Sequence, residues 1–162
     1  MKQDLQALMN DCSAEIADID ARISAMPPLD KGKTYYTQYA LIRACGTIEY
    51  VYRSIVADYF TQYNISQIDK YLDQQVRSGS MSATYQKMKE LLKAFDDNWE
   101  TTFKNSVSTH PDFTRITTSV ASLVNNRHQF AHGKPTTATF SDIKQYYSDA
   151  TILIQLFDQA VV

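Results

Sequence analysis

Apolar positions recur at steps of three and four along most of the chain, the period of a helix that buries one face. Leu5, Leu8, Cys12, Ile16, Ile19 and Ile23 predict a first helix from Gln3 to Met26. Pro27-Pro28 stops it, and Asp30–Lys33 reads as a polar loop. Leu41, Cys45, Ile48, Tyr52, Ile55 and Tyr59 predict a second helix from Thr34 to Tyr63, and Ile42, Val56, Phe60 and Tyr63 widen its stripe. At about 1.5 Å per residue this helix is roughly 45 Å long. A face that wide needs at least two packing partners, which makes it the spine of a bundle.

Asn64–Ser66 reads as a break, with Ser66 as cap for a segment Gln67–Arg77 that ends at Gly79. Ser82 starts the next helix, whose stripe is Tyr85, Met88, Leu92, Phe95, Trp99 and Phe103, with a bend at Asp96-Asp97. Pro111 suits the first turn of a helix that runs to His132 and terminates at Gly133. Ser141 caps a last helix facing inward with Ile143, Tyr147, Ala150, Ile154, Phe157 and Val161. The fold expected is an all-α, up-and-down bundle of five to seven helices with no sheet, one domain over residues 1–162. Its core should include Ile16, Ile48, Tyr52, Ile55, Leu92, Trp99, Val120, Leu123 and Ile154.

Composition narrows this picture in three ways. With 4 Gly and 4 Pro the chain has too few turn residues for a sandwich or barrel. Its 2 cysteines, Cys12 and Cys45, fall among apolar neighbours, as buried free thiols of a cytoplasmic protein or, alternatively, as a disulfide pair. The N-terminal stretch is polar and acidic rather than basic then apolar, unlike a signal peptide, and no apolar run is long enough to span a membrane.

The net charge of −2 excludes a general nucleic-acid coat. The distribution says more. Residues 101–134 carry Lys104, Arg115, Arg127 and Lys134 against Asp112 alone, +3, and leave −5 for the rest. All three histidines, His110, His128 and His132, fall in that window. Either the clustering is chance or it marks a local anion site.

On a helical wheel Phe113, Ile116, Val120, Leu123, Val124, Phe130 and Ala131 share an arc of roughly 120°, with Arg127 near its middle. A charge there is costly unless it is paired. Arg127 could snorkel at a helix end, pair with a buried carboxylate for structure alone, or hold phosphate where this face meets a partner. His128 and His132 stand four apart, a spacing that can bind metal. The metalloprotease pattern, however, needs Glu where this chain has Gln129, and no further ligands lie nearby. No metal or other cofactor is expected.

The run Leu123-Val124-Asn125-Asn126-Arg127-His128-Gln129-Phe130-Ala131-His132-Gly133 resembles the signature of HEPN domains, an arginine, four residues and a histidine closing a helix of an all-α bundle. The Ala-His-Gly ending, Pro135 and one following helix look most like the RiboL-PSP branch. The stretch Tyr39–Glu49 is similar to the long second helix of that branch. Two positions depart from the family pattern. The residue after the arginine, often Asn, is His128; and Lys134 stands where members that pair with small nucleotidyltransferases often carry Tyr, which speaks against that partner.

The resemblance implies a metal-independent endoribonuclease that works as a homodimer, its composite sites built from the motif helices of two subunits. His132 would act on the ribose 2′-hydroxyl and Arg127 would hold the scissile phosphate, giving 2′,3′-cyclic phosphate ends. Asn126, His128 and Lys134 would bind substrate or support the pair. The setting implied is a toxin or antiviral, abortive-infection effector, with an antitoxin or regulatory protein as a further partner. Two alternatives are a non-catalytic HEPN-type module for dimerisation or partner binding, and a plain bundle with an accidental Arg–His pair. Glu49, within the apolar arc of the second helix, either pairs with Arg53 four residues on or orients Arg127 or His132. Tyr35, Tyr36, Tyr146 and Tyr147 fit core or interface packing, or base stacking.

Overall fold

A computed structural model describes all 162 residues. The chain folds into seven α-helices with no strand: α1 (Gln3–Ala25), α2 (Gly32–Phe60), α3 (Ser66–Leu72), α4 (Tyr85–Phe95), α5 (Asp97–Ser108), α6 (Phe113–Ala131) and α7 (Phe140–Ala160). Helix α2 is the spine, packed against α1, α6 and α7. Helix α7 also lies along α6 and α5. All nine core residues expected from the periodicity are buried, in one continuous apolar cluster. No helix is long and apolar enough to cross a membrane.

Helix ends differ from the sequence reading where several hydroxyls compete for one cap. Ser66 is the first helical residue of α3 rather than its cap, and its hydroxyl bonds to the Gln67 side chain instead. Thr84, not Ser82, caps α4, its hydroxyl accepting the Lys87 N–H at 3.2 Å. Thr139, not Ser141, caps α7, and Asp142 answers it from the third helical position, a reciprocal capping box. At Asp96 the chain breaks outright. Its extended backbone ends α4, while its carboxylate accepts the N–H groups of Asn98 and Trp99 and begins α5. Helix α6 starts two residues beyond Pro111, because the Asp112 and Phe113 N–H groups bond back to His110 in a tight turn.

The inward face of α6 is also turned relative to the wheel. Ile116, Ser119, Val120, Leu123 and Asn126 are buried, whereas Ala131 is exposed and Arg127 lies at the edge. Two polar residues can face inward because each finds partners there. Ser119 donates to the buried Asp149 at 2.7 Å, a carboxylate also held by Arg115 and Gln145. Asn126 is satisfied by the loop before α7.

Candidate active site

The last turn of α6, the loop after it and the middle of α2 bring the motif residues together. Helix α6 ends at His132, and Gly133 follows at φ +70°, the left-handed conformation that favours glycine. The Gly133 N–H bonds to the Phe130 carbonyl at 3.0 Å and the Lys134 N–H to the Gln129 carbonyl at 2.9 Å. This pair of bonds is a Schellman closure, which fixes the chain direction just past His132.

Asn126 fixes the rest of the loop. Its side-chain oxygen accepts the N–H groups of Thr137 at 2.9 Å and Ala138 at 3.0 Å, and its amide donates to the Ser122 carbonyl. With 4% of its surface exposed, Asn126 acts through the backbone that it holds.

Arg127 reaches from α6 to Glu49 on α2, Nη2 donating to Oε1. The side chains are 33% and 12% exposed, so the guanidinium is half open and the carboxylate nearly covered. Arg53 does not pair with the Glu49 carboxylate; its Nε donates to the Glu49 carbonyl at 2.7 Å. Of the two roles open to Glu49, the geometry is that of the arginine holder. The hydrogen bond that Arg127 donates to Glu49 raises its pKa against the opposing effect of burial, so the group stays cationic. Beneath the pair lies Cys45, its thiol donating weakly to Glu49 Oε1 at 3.7 Å. Burial and the neighbouring carboxylate push that thiol up to about 12, so it is protonated and inert as a nucleophile. Both cysteines are free and buried.

Only one nitrogen of Arg127 is occupied; Nε and Nη1 have no protein partner. With the side chain 33% exposed, the donors that Glu49 does not take can be reached by an anion. His132 and His128 are exposed and lie edge to face, ring centroids 4.3 Å apart. No group of three or more His, Cys, Asp or Glu side chains converges anywhere in the chain. Arg127 and His132 do not share a face of α6. Five residues at about 100° each put them roughly 140° apart, Arg127 toward α2 and His132 toward solvent.

The positive window of the sequence is split in space. His110 and Arg115 lie at the far end of α6, about 25 Å along the axis from the motif. There Arg115 is taken up by Asp112 and Asp149. Only Arg127, His128, His132 and the exposed Lys134 remain at the motif end. Of the tyrosines, Tyr147 is buried with its hydroxyl on the Met9 carbonyl at 2.8 Å, and Tyr36 and Tyr146 pack against the core. Tyr35 is open to solvent, and so is Tyr39.

A family model described as RiboL-PSP-HEPN matches residues 8–162 of the chain. No curated protein and no solved structure matches it.

Proposed function

The chain belongs to the RiboL-PSP-HEPN family, and on that premise we propose that it is a metal-independent RNA endonuclease, a homodimer in which Arg127 and His132 are the catalytic residues. The observation that carries this reading is the half-used guanidinium. Glu49 takes one hydrogen of Arg127 Nη2 and leaves the remaining donors of a half-exposed guanidinium. The edge that remains, the second Nη2 N–H together with Nε–H or Nη1–H, can take two oxygens of a phosphate and hold them as charge grows on the phosphorane.

In this mechanism the His132 imidazole removes the proton of the ribose 2′-hydroxyl. The oxygen attacks the adjacent phosphorus in line, and the bond to the 5′-oxygen of the next nucleotide breaks as that oxygen takes a proton from water, while His132 later returns its own proton to solvent. The products are a 2′,3′-cyclic phosphate and a 5′-hydroxyl. His128 and Lys134 supply further positive charge to the strand, and Asn126 and Glu49 are positioning residues. The angular separation of Arg127 and His132 favours a two-fold dimer, in which the histidine of one subunit serves the arginine of the other. The setting that fits is a cytoplasmic toxin or abortive-infection effector restrained by a partner protein.

The test is incubation of the purified protein with RNA, with and without EDTA, beside the DNA of the same sequence. The expected outcome is cyclic-phosphate ends, no effect of chelator and intact DNA. His132→Ala should lose about 10²–10⁴-fold in rate while retaining the helical signal, since the side chain is exposed. Loss of activity in EDTA, or full activity of His132→Ala, would overturn the mechanism. A folded wild-type protein that leaves RNA intact would favour the non-catalytic module, as His128 in place of the family's usual Asn also does. A strictly monomeric species at tens of micromolar in sedimentation would remove the composite site.

A further inference from the structure

Five of the six arginines of the chain pair with a carboxylate side chain. The sixth, Arg53, does not. Its natural partner on the helix surface, the Glu49 carboxylate one turn back, is taken by Arg127 from α6. The half-buried Arg53 instead donates Nε to the Glu49 carbonyl at 2.7 Å, and its Nη1 and Nη2 have no protein partner. The fold does not require that bond, because the Glu49 carbonyl lies inside α2, where the helix ladder already brings it a backbone donor.

Glu49 therefore touches two guanidiniums, Arg127 through its carboxylate and Arg53 through its carbonyl. Four residues put Arg53 about 6 Å further along α2 than Glu49 and only about 40° around it. That is a step of the size that separates neighbouring phosphates in an extended strand.

The charge around this pair selects an anion. Helix α6 carries no acidic residue, and α2 carries only Glu49 and Asp58. Asp58 is held by Lys2 and Arg77, and it lies roughly 140° around α2 from Arg53. Two guanidiniums over one carboxylate leave a net positive charge. The approach is open as well. At Gly46, three residues before Glu49, an added Cβ would meet no atom within 4 Å.

We propose that Arg53 is a substrate-binding residue of the same site, holding the phosphate next to the scissile one, so that the RNA strand runs along α2 from Arg127 to Arg53. This rests on the nuclease reading for its substrate and adds to it a second anchor and a path.

The experiment measures binding and cleavage separately on the full chain. The probes are a short single-stranded RNA of mixed sequence and its 2′-O-methyl counterpart, which lacks the attacking hydroxyl. Arg53→Ala should raise KM about tenfold and leave kcat within about threefold. For the 2′-O-methyl strand it should lower the slope of log affinity against log salt by about 0.7, the share of one phosphate of a single strand. Arg53→Lys should recover the slope and most of the affinity, because a phosphate away from the reaction asks for charge more than for a fork. Lys104→Ala removes an equal charge from α5, which packs on α4 and α7, and should bind as the wild type does. Thermal melts of Arg53→Ala and the wild type should nearly coincide, since the carbonyl keeps its backbone donor.

A wild type that binds the 2′-O-methyl strand, with the slope reduced in Arg53→Ala, supports the contact even where no RNA is cut. A wild type that cuts RNA while Arg53→Ala keeps its KM and slope overturns the proposal and leaves the nuclease reading intact. A loss in kcat alone would place Arg53 among the reacting groups, and a loss of affinity at unchanged slope would make it packing. A variant that dissociates in sedimentation would assign it to the subunit interface. Each of these overturns the proposal, as does a wild type that binds no RNA.

Discussion

Two arginine–glutamate pairs flank α2, and they are built to opposite ends. Between α1 and α2, Arg43 of α2 gives Nε and Nη2 to the two oxygens of Glu15 and Nη1 to the Thr47 hydroxyl. At the motif, Glu49 of α2 receives a single nitrogen of Arg127 and the rest of that fork is free. Each pair has a buried cysteine against it, Cys12 in the first case and Cys45 in the second. The environments are alike and the use of donors is not. A guanidinium whose every nitrogen is engaged is a brace between helices, whereas one tied at a single nitrogen is aimed and unfinished. Exposure alone would not distinguish them, since the side chains of Arg43 and Arg127 are 27% and 33% exposed.

The sharpest way to break this comparison is to exchange the roles by mutation. Arg127→Ala should lower RNA cleavage about 10²–10³-fold, and Arg127→Lys should restore little, because a point charge does not reproduce a fork. The stability cost should be about 1–3 kcal/mol, since the nearly covered Glu49 carboxylate loses its donor. Arg43→Ala should separate the two effects. Cleavage should stay within about twofold, while stability falls by about 2 kcal/mol, or 4–8 °C in Tm, because Glu15 and the buried Thr47 lose their donors together. Cleavage rates and thermal melts of the two variants, measured side by side, check the crossing. Equal activity losses would mean that both arginines serve structure.

A second, smaller effect separates holding from catalysis within the motif itself. Asn126→Ala leaves the Thr137 and Ala138 N–H groups without their acceptor. The expected cost is about 1–2 kcal/mol, with faster amide exchange across residues 133–139. The pH profile of residual cleavage should keep its shape, because the titrating group is untouched. A changed profile would place Asn126 among the reacting groups.

The same contrast explains what was legible in the sequence. The helical stripes were, because apolar burial repeats every turn, and all nine expected core positions are inside. The N-caps of α3, α4 and α7 were not legible, because neighbouring hydroxyls compete for each position. Thr139 with Asp142 forms a capping box, yet in the sequence Ser141 reads as that cap. Arg127 stood out as a charge among apolar residues. Its holder was left as one of two roles for Glu49, because 78 residues separate the two and no wheel joins helices α2 and α6. Asn126 read as a substrate contact or a support of the pair with no means given, since nothing local announces that a loop eleven residues later turns back onto it.

The smallest prediction concerns the Glu15–Arg43 pair and its dependence on pH. Arg43 lowers the pKa of the Glu15 carboxyl through its hydrogen bonds, burial opposing and Tyr39 assisting. A carboxyl whose folded value lies below its unfolded value of about 4.3 stabilises the fold fully above that value. The contribution is then lost as pH falls through the folded value, when both states are protonated. Since the Glu15 side chain is 39% exposed, solvent screening keeps the effect below about 1 kcal/mol. Glu15→Gln should therefore melt about 1–3 °C below the wild type at neutral pH, and the gap should narrow as pH falls below the unfolded value and close once the folded carboxyl is protonated too. Arginine is charged throughout that range, so the Arg43 side of the pair adds no titration of its own. Thermal melts of both proteins from neutral pH to pH 3, in low and high salt, measure the gap. A gap that persists undiminished in acid would trace the stability of this contact to packing of the Glu15 stem rather than to its charge. The position of Tyr39, whose hydroxyl donates to Glu15, would then not depend on the ion pair.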